Sequence, residues 1–196
     1  MKILILGANG QIARVVTKLV LERTSAQLTL YLRNASRLKS FPNDRVKVIE
    51  GNVLDREQLQ AAMEGHDTVY ANLSGKMEEM AVNIVQAMHA TGIKKIVFVS
   101  SMGIYGEVPG KQYGVVLEPY RRSVDAIENS DLDYTIIRPA WLSDKDEIAY
   151  GTTQKGETFK YGEQTVSRKS VADLIVKLAT TSGLESRKSL GVHYEH

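Results

Sequence analysis

Gly7, Gly10 and Ala13 stand three residues apart in the run G-A-N-G-Q-I-A, and a set of this kind can hold an anion against bare backbone. Each residue type has a task there. Gly7 permits a tight exit from a strand, Gly10 lets main chain approach a pyrophosphate, and Ala13 keeps a following helix close to the sheet. The first interval differs from G-x-G-x-x-G, yet the context is the one that motif requires. Residues 3–6 ahead of it form an unbroken apolar run of the sort buried on both faces of a parallel sheet. Behind it Ile12, Val15, Val16, Leu19 and Val20 recur at helical spacing. A strand feeding a helix through so short a turn aims free N–H groups and the positive end of the helix dipole at whatever sits above, which suits phosphate.

A second strand is expected over 28–32, and Arg33 follows it. At this place, about 20 positions past the glycines, an acid binds the ribose 2′-OH of NAD, whereas an arginine accommodates the 2′-phosphate of NADP. Arg33, with Asn34, Ser36 and Arg37 behind it, offers cations and hydroxyls and no carboxylate. NADP(H) is therefore expected over NAD(H).

The elements that must position these residues alternate. Strands are read at 46–50, 68–71, 95–99 and 134–138, and helices at 56–64, 76–91 and 120–130. Asp55 is read as the N-cap of the 56–64 helix and Gly92 as the C-cap of the 76–91 helix. Met77, Met80, Ile84, Val85 and Met88 make a stripe typical of core. His66 is read as a surface residue. Residues 106–118 read as a loop over the site, and 147–165 as hairpin-like strands within a substrate-covering subregion around 143–168. Ser170 is read as the cap of a last helix over 171–180, and the tail through Val192 and Tyr194 as an edge strand. This alternation implies a doubly wound α/β fold, an open parallel sheet with helices on both faces.

Composition narrows the function. With 196 residues, 43% hydrophobic and 24% charged, the chain suits one domain, 1–196, with one generous core. A net charge of +2 spread along the chain gives no basic block for nucleic acid. There is no cysteine, and the four histidines show no ligand spacing, so no metal site is expected. No apolar run approaches the roughly 18 residues that span a bilayer, no signal peptide precedes the first strand, and a cytoplasmic location is expected.

The ordered series G-A-N-G-Q-I-A, Leu-Arg-Asn at 32–34, G-N-V-L-D at 51–55, V-S-S-M-G at 99–103, Y-T-I-I-R-P-A-W-L at 134–142 and V-S-R-K-S-V-A-D at 166–173 resembles the atypical short-chain dehydrogenase/reductases of the NmrA-like, NAD(P)-binding group, which includes flavin and biliverdin-type reductases. The resemblance implies a Rossmann-type sheet of order 3-2-1-4-5-6 with a possible seventh strand. It implies that Gly7, Asn9, Gly10, Gln11 and Ile12 hold the pyrophosphate, Arg33 the 2′-phosphate, and Asn52 and Val53 the adenine. Leu73, Ser74 and Gly75 would line the ribose side. Ser100 and Ser101 occupy the place of the active-site serine, and Pro139, Ala140 and Trp141 the segment that meets the nicotinamide carboxamide.

One departure from the pattern steers the chemistry. Ketone-reducing relatives use Tyr-x-x-x-Lys, the lysine lowering a tyrosine pKa from about 10 so that it exchanges protons near neutrality. Here Tyr120 is followed four residues later by Val124. Arg121 and Arg122 project about 100° and 200° away on a helix, and Tyr105 and Tyr113 have no cation at helical spacing. A conjugated acceptor, such as a flavin or quinone, delocalises the charge it receives and takes its proton from water. The expectation is an NADP(H)-dependent oxidoreductase acting on a planar acceptor, a monomer or homodimer, with Ser101, Tyr120 and Tyr105 as candidate catalytic residues and Trp141 and Tyr105 as candidate stacking walls. The alternative is a non-catalytic NADP(H) sensor of NmrA type.

Overall fold

Ile3 to Leu6 are at most 1% exposed, which is possible only for a strand covered on both faces. In the computed structural model, which describes residues 1–38, 43–111 and 114–195, that strand is β1 (Lys2–Leu6). It is followed by α1 (Gln11–Arg23), β2 (Gln27–Leu32), β3 (Val46–Glu50), α2 (Arg56–Met63), β4 (Thr68–Ala71), α3 (Met77–Thr91) and β5 (Lys95–Val99). Then come α4 (Glu118–Glu128), β6 (Asp133–Pro139), β7 (Trp141–Ser143), β8 (Gly151–Gln154), β9 (Thr165–Ser167), α5 (Arg168–Thr180) and β10 (Lys188–His193).

Six parallel strands run in the expected order β3-β2-β1-β4-β5-β6, so the direction of winding reverses between β1 and β4. Alternate side chains face opposite ways from a strand. Ile3 and Ile5, with Leu28, Leu30 and Val97, meet α1 and α5 on one face. Leu4 and Leu6, with Val69, Phe98 and Ile136, meet α2, α3 and α4 on the other. Asp55 does cap α2, its Oδ1 accepting from the Gln58 N–H at 3.0 Å, and Gly92 ends α3 at φ 75°. The methionine stripe of α3 is core, with Met77, Met80 and Met88 buried.

The carboxyl-terminal third departs from expectation. Among the described residues the main sheet has eight strands: β10 lies parallel to β6, inside the sheet rather than at its edge, and β8 pairs antiparallel with β10 as the edge strand. Residues 147–165 form no hairpin, because β8 is drawn to the open side of β10 while β9 pairs in parallel with β7. The last helix starts earlier than expected. Ser167, not Ser170, is its cap, with Oγ accepting from the Ser170 N–H at 2.9 Å, while the Ser170 hydroxyl accepts from the Ala149 N–H at 3.0 Å. His66 is half-buried rather than a surface residue: Nδ1 lies 3.1 Å from the Met63 carbonyl and Nε2 2.8 Å from the Thr29 hydroxyl. Among the described residues no helix is long and apolar enough to cross a membrane.

Candidate functional site

The carboxyl ends of β1 to β4 open into a cleft of about 270 Å³ at the point where the strand order reverses, the place where open α/β sheets bind ligands. Gly7, Asn9 and Gly10 form its first wall. Gly7 turns at φ 76°, and a Cβ there would stand 2.2 Å from the Asn72 carbonyl oxygen. Gly10 has an ordinary φ of −61°. Its need for hydrogen comes from Asn72, whose amide nitrogen would lie 1.9 Å from a Cβ. Without a side chain, Gly10 gives α1 no capping hydrogen bond, and the first turn of α1 holds no acid. The first-turn N–H groups therefore have no partner within the helix and meet no competing carboxylate. Asn9 is fixed by Arg14, which donates to its Oδ1 at 2.6 Å.

Arg33 and Arg37 form the opposite rim. The loop that carries them is pinned by Asn34, which accepts from the Ser36 N–H at 3.1 Å, and by Glu50, which accepts from the Ala35 N–H at 2.8 Å. Both arginines are exposed, and among the described residues neither joins an ion pair. No described residue lining this half is an acid. Asn52, Val53, Leu73 and Ser74 line it as expected; Tyr31 and Met80, which the sequence reading missed, also line it. Burial, then the Asp55 carboxylate, pushes the Tyr31 hydroxyl up to about 12. Their signal was hidden because both belong to regular elements that read as core.

Asn72 and Leu73 divide this half from a second one of about 560 Å³ beyond the ends of β5 and β6. Ile12, Ser100, Ser101, Tyr120 and the 139–141 segment all line it. The Ser100 hydroxyl is buried without a partner, and Ser101 donates to the Met102 carbonyl at 3.1 Å. Val116, Leu117 and Arg168 line it too. None of the three was named as a site residue, although Val116 and Leu117 belong to the 106–118 loop expected over the site and Arg168 closes the expected covering subregion, 143–168. None of residues 143–167 lines either half.

Several expected residues stand elsewhere. Tyr105 does not line the cleft; it donates to Glu128 Oε1 at 2.8 Å and its oxygen lies 3.2 Å from the Ser189 hydroxyl, and burial with the Glu128 carboxylate pushes its pKa up. It belongs to the buried network around the Arg138–Glu107 pair, with the Arg138 guanidinium 5.1 Å from its ring centre. It is therefore neither a stacking wall nor a proton donor to the cleft. Gln11 lines neither half, and Gly75 lines a separate depression with Met77 and Glu118. Tyr113 lies outside the described residues. Val124, four residues after Tyr120, is fully buried in the core. Arg121 is bound to Asp125 at 2.9 Å and Arg122 to Glu118, so neither replaces the missing lysine. No group of three or more His, Cys, Asp or Glu among the described residues could hold a metal ion.

A parallel sheet of this order, with a bare helix N-terminus at its switch point and cations after the second strand, defines a Rossmann-type dinucleotide-binding protein. Residues 7–182 match the NAD(P)H-binding family, and the chain belongs to it. It is similar to a Rossmann-fold NAD(P)-binding family protein from Shigella flexneri, 39% identical, TM-score 0.89, covering 98% of this chain and 93% of that one. A short-chain dehydrogenase/reductase from Veillonella parvula, solved in complex with NADP, is 29% identical with TM-score 0.89, covering 97% and 93%. Among curated proteins, the uncharacterized sugar epimerase YhfK of Bacillus subtilis is 25% identical over 203 residues, covering 95% of this chain and 92% of its own length. The chain spans between about half and two thirds of the length of the next relatives.

Proposed function

We propose that the protein is an NADP(H)-dependent oxidoreductase that delivers hydride to a conjugated, planar acceptor. The observation that carries the cofactor preference is the pair of exposed arginines, 33 and 37, on the rim of a cleft half with no acidic lining residue. A guanidinium forks onto a phosphate, whereas the ribose hydroxyl of NAD calls for a carboxylate that this half does not offer. The backbone of Asn9, Gly10 and Ile12 holds the diphosphate, Asn52 and Val53 take the base, and Pro139, Ala140 and Trp141 orient the nicotinamide. The nicotinamide supplies the hydride when bound. Ser100, with its unpaired buried hydroxyl, and Ser101 hydrogen-bond the reacting edge, and Trp141 offers a face for stacking. Relatives named as reductases support the assignment.

The missing lysine favours a second reading, an NADP(H)-binding sensor of the NmrA type that does not turn over. Two measurements separate them: titration with NADPH and NADH, and steady-state NADPH oxidation with a panel of flavins, quinones and simple ketones. NADPH should bind at least about tenfold tighter than NADH, and a flavin or quinone should be reduced above background while ketones are not. Tight NADP(H) binding with no turnover on any acceptor rejects the enzyme and leaves the sensor.

A further inference from the structure

Among the described residues that line the acceptor half of the cleft, Arg168 alone carries a charge. Its side chain is 18% exposed, and its Nη1 donates to Asp144 Oδ1 at 2.7 Å. Asp144 itself is 84% exposed, and an ion pair with so solvated a carboxylate is weak. The Nε of Arg168 is buried and has no hydrogen-bond partner. A guanidinium offers five donors in a rigid fork, and a buried donor left unused is a cost that a native structure normally avoids. Around it the lining is mostly apolar, broken by Asn72, Ser100, Ser101 and Tyr120, and it is open: Val116 is 78% exposed and Trp141 58% exposed. Mostly apolar walls that include the Trp141 ring, with one underused cation, match a ligand that is a planar ring carrying an anionic group.

We propose that Arg168 seats an anionic oxygen group, a carboxylate or phosphate, of the planar acceptor, and so selects acidic acceptors over neutral ones with the same ring. The inference rests on the oxidoreductase reading of the same cleft and adds the substrate's charge to it. Riboflavin and FMN are a suitable pair, since they share one ring system and differ in a phosphate. NADP⁺ at saturation keeps FMN out of the phosphate-binding turn, and Trp141, the only tryptophan in the chain, reports binding by fluorescence without any turnover.

On the NADP⁺-saturated protein, FMN should bind about tenfold or more tightly than riboflavin, with an affinity that falls as salt rises. Arg168→Gln should remove that advantage while changing riboflavin binding and NADPH affinity by less than about twofold. Asp144→Ala, at an exposed position that leaves the fold intact, should tighten FMN and not riboflavin. Equal changes for both flavins in either variant, or no preference for FMN in the wild type, overturns the proposal. If FMN binding depends on Arg168 and yet no acceptor is ever reduced, the anion seat stands and hydride transfer falls; if acceptors are reduced with no dependence on Arg168, hydride transfer stands and the seat falls.

Discussion

At the scale of single residues, Gly10 shows why a glycine in a motif has to be read with its neighbours. Its backbone conformation is open to any residue, and the obstacle to a side chain is the amide of Asn72. Gly10→Ala should weaken NADPH binding at least about tenfold and cost about 1–3 kcal/mol of stability through overpacking. Adding Asn72→Ala should return most of that stability, a non-additivity that a double-mutant cycle by urea denaturation would measure. Full additivity of the two changes would show that Asn72 is not the obstacle. Arg33→Asp places a carboxylate on the opposite rim. NADPH affinity should fall by about 10- to 100-fold, the range for a lost hydrogen bond between charged groups, and the gap to NADH should narrow. A preference left untouched in a fluorescence titration would remove Arg33 from the site.

At the scale of elements, α1, whose N-terminus opens onto the cleft, is tied to α5 through one buried carboxylate. Asp173 is 3% exposed and accepts from Arg23 at 2.6 Å and from the Tyr150 hydroxyl at 2.9 Å, with Lys177 at 2.7 Å. Burial alone would raise its pKa, but the hydrogen bonds from Lys177, Arg23 and Tyr150 together hold it below the usual carboxylate value. Asp173→Asn leaves these donors without their anion and should cost about 2–4 kcal/mol, seen as a Tm lower by about 5–15 °C. Since the native pKa is depressed, this contribution is present above the ordinary carboxylate range and is lost as pH falls through the native value. Element ends signalled by a local side chain were legible from sequence, as with Asp55 and Gly92. Ser167 and Ser170 were not separable, because both are serines near the start of one apolar stripe, and the neighbouring 147–149 segment decides which hydroxyl serves the helix.

At the scale of the whole molecule, stability should depend on pH near neutrality through His66, which links β2 to the end of α2. Burial lowers its pKa first, with the nearby Lys2 acting in the same direction, against the Met63 and Glu64 carbonyls and Asp67. The unfolded chain takes up this proton near pH 6.5, and the native chain only at lower pH. Stability from this group is thus complete above about pH 6.5 and declines as pH falls from there to the native pKa. Urea midpoints at pH 7.5 and 5.5 should show the decline in the wild type and a flatter profile in His66→Asn. Equal slopes for the two proteins would remove His66 as the cause.

The sequence by itself determined the half of the molecule built from local signals. An unbroken apolar run, a glycine turn and a helical stripe occupy consecutive residues, so the opening strand-turn-helix unit could be read in advance, while the order 3-2-1-4-5-6 and the family came from the resemblance of the ordered motif series. It also determined that Val124 stands where a relay lysine would be, the ground on which a conjugated acceptor was expected. Tertiary structure decided everything that depends on partners distant in the chain. It placed β10 inside the sheet with β8 at the edge, put Asn72 against Gly10, took Tyr105 out of the cleft and into the Arg138 network, and brought Arg168 to the second half of the cleft. Periodicity reports which face of an element is apolar, whereas these outcomes depend on which other element that face and its flanking loops meet.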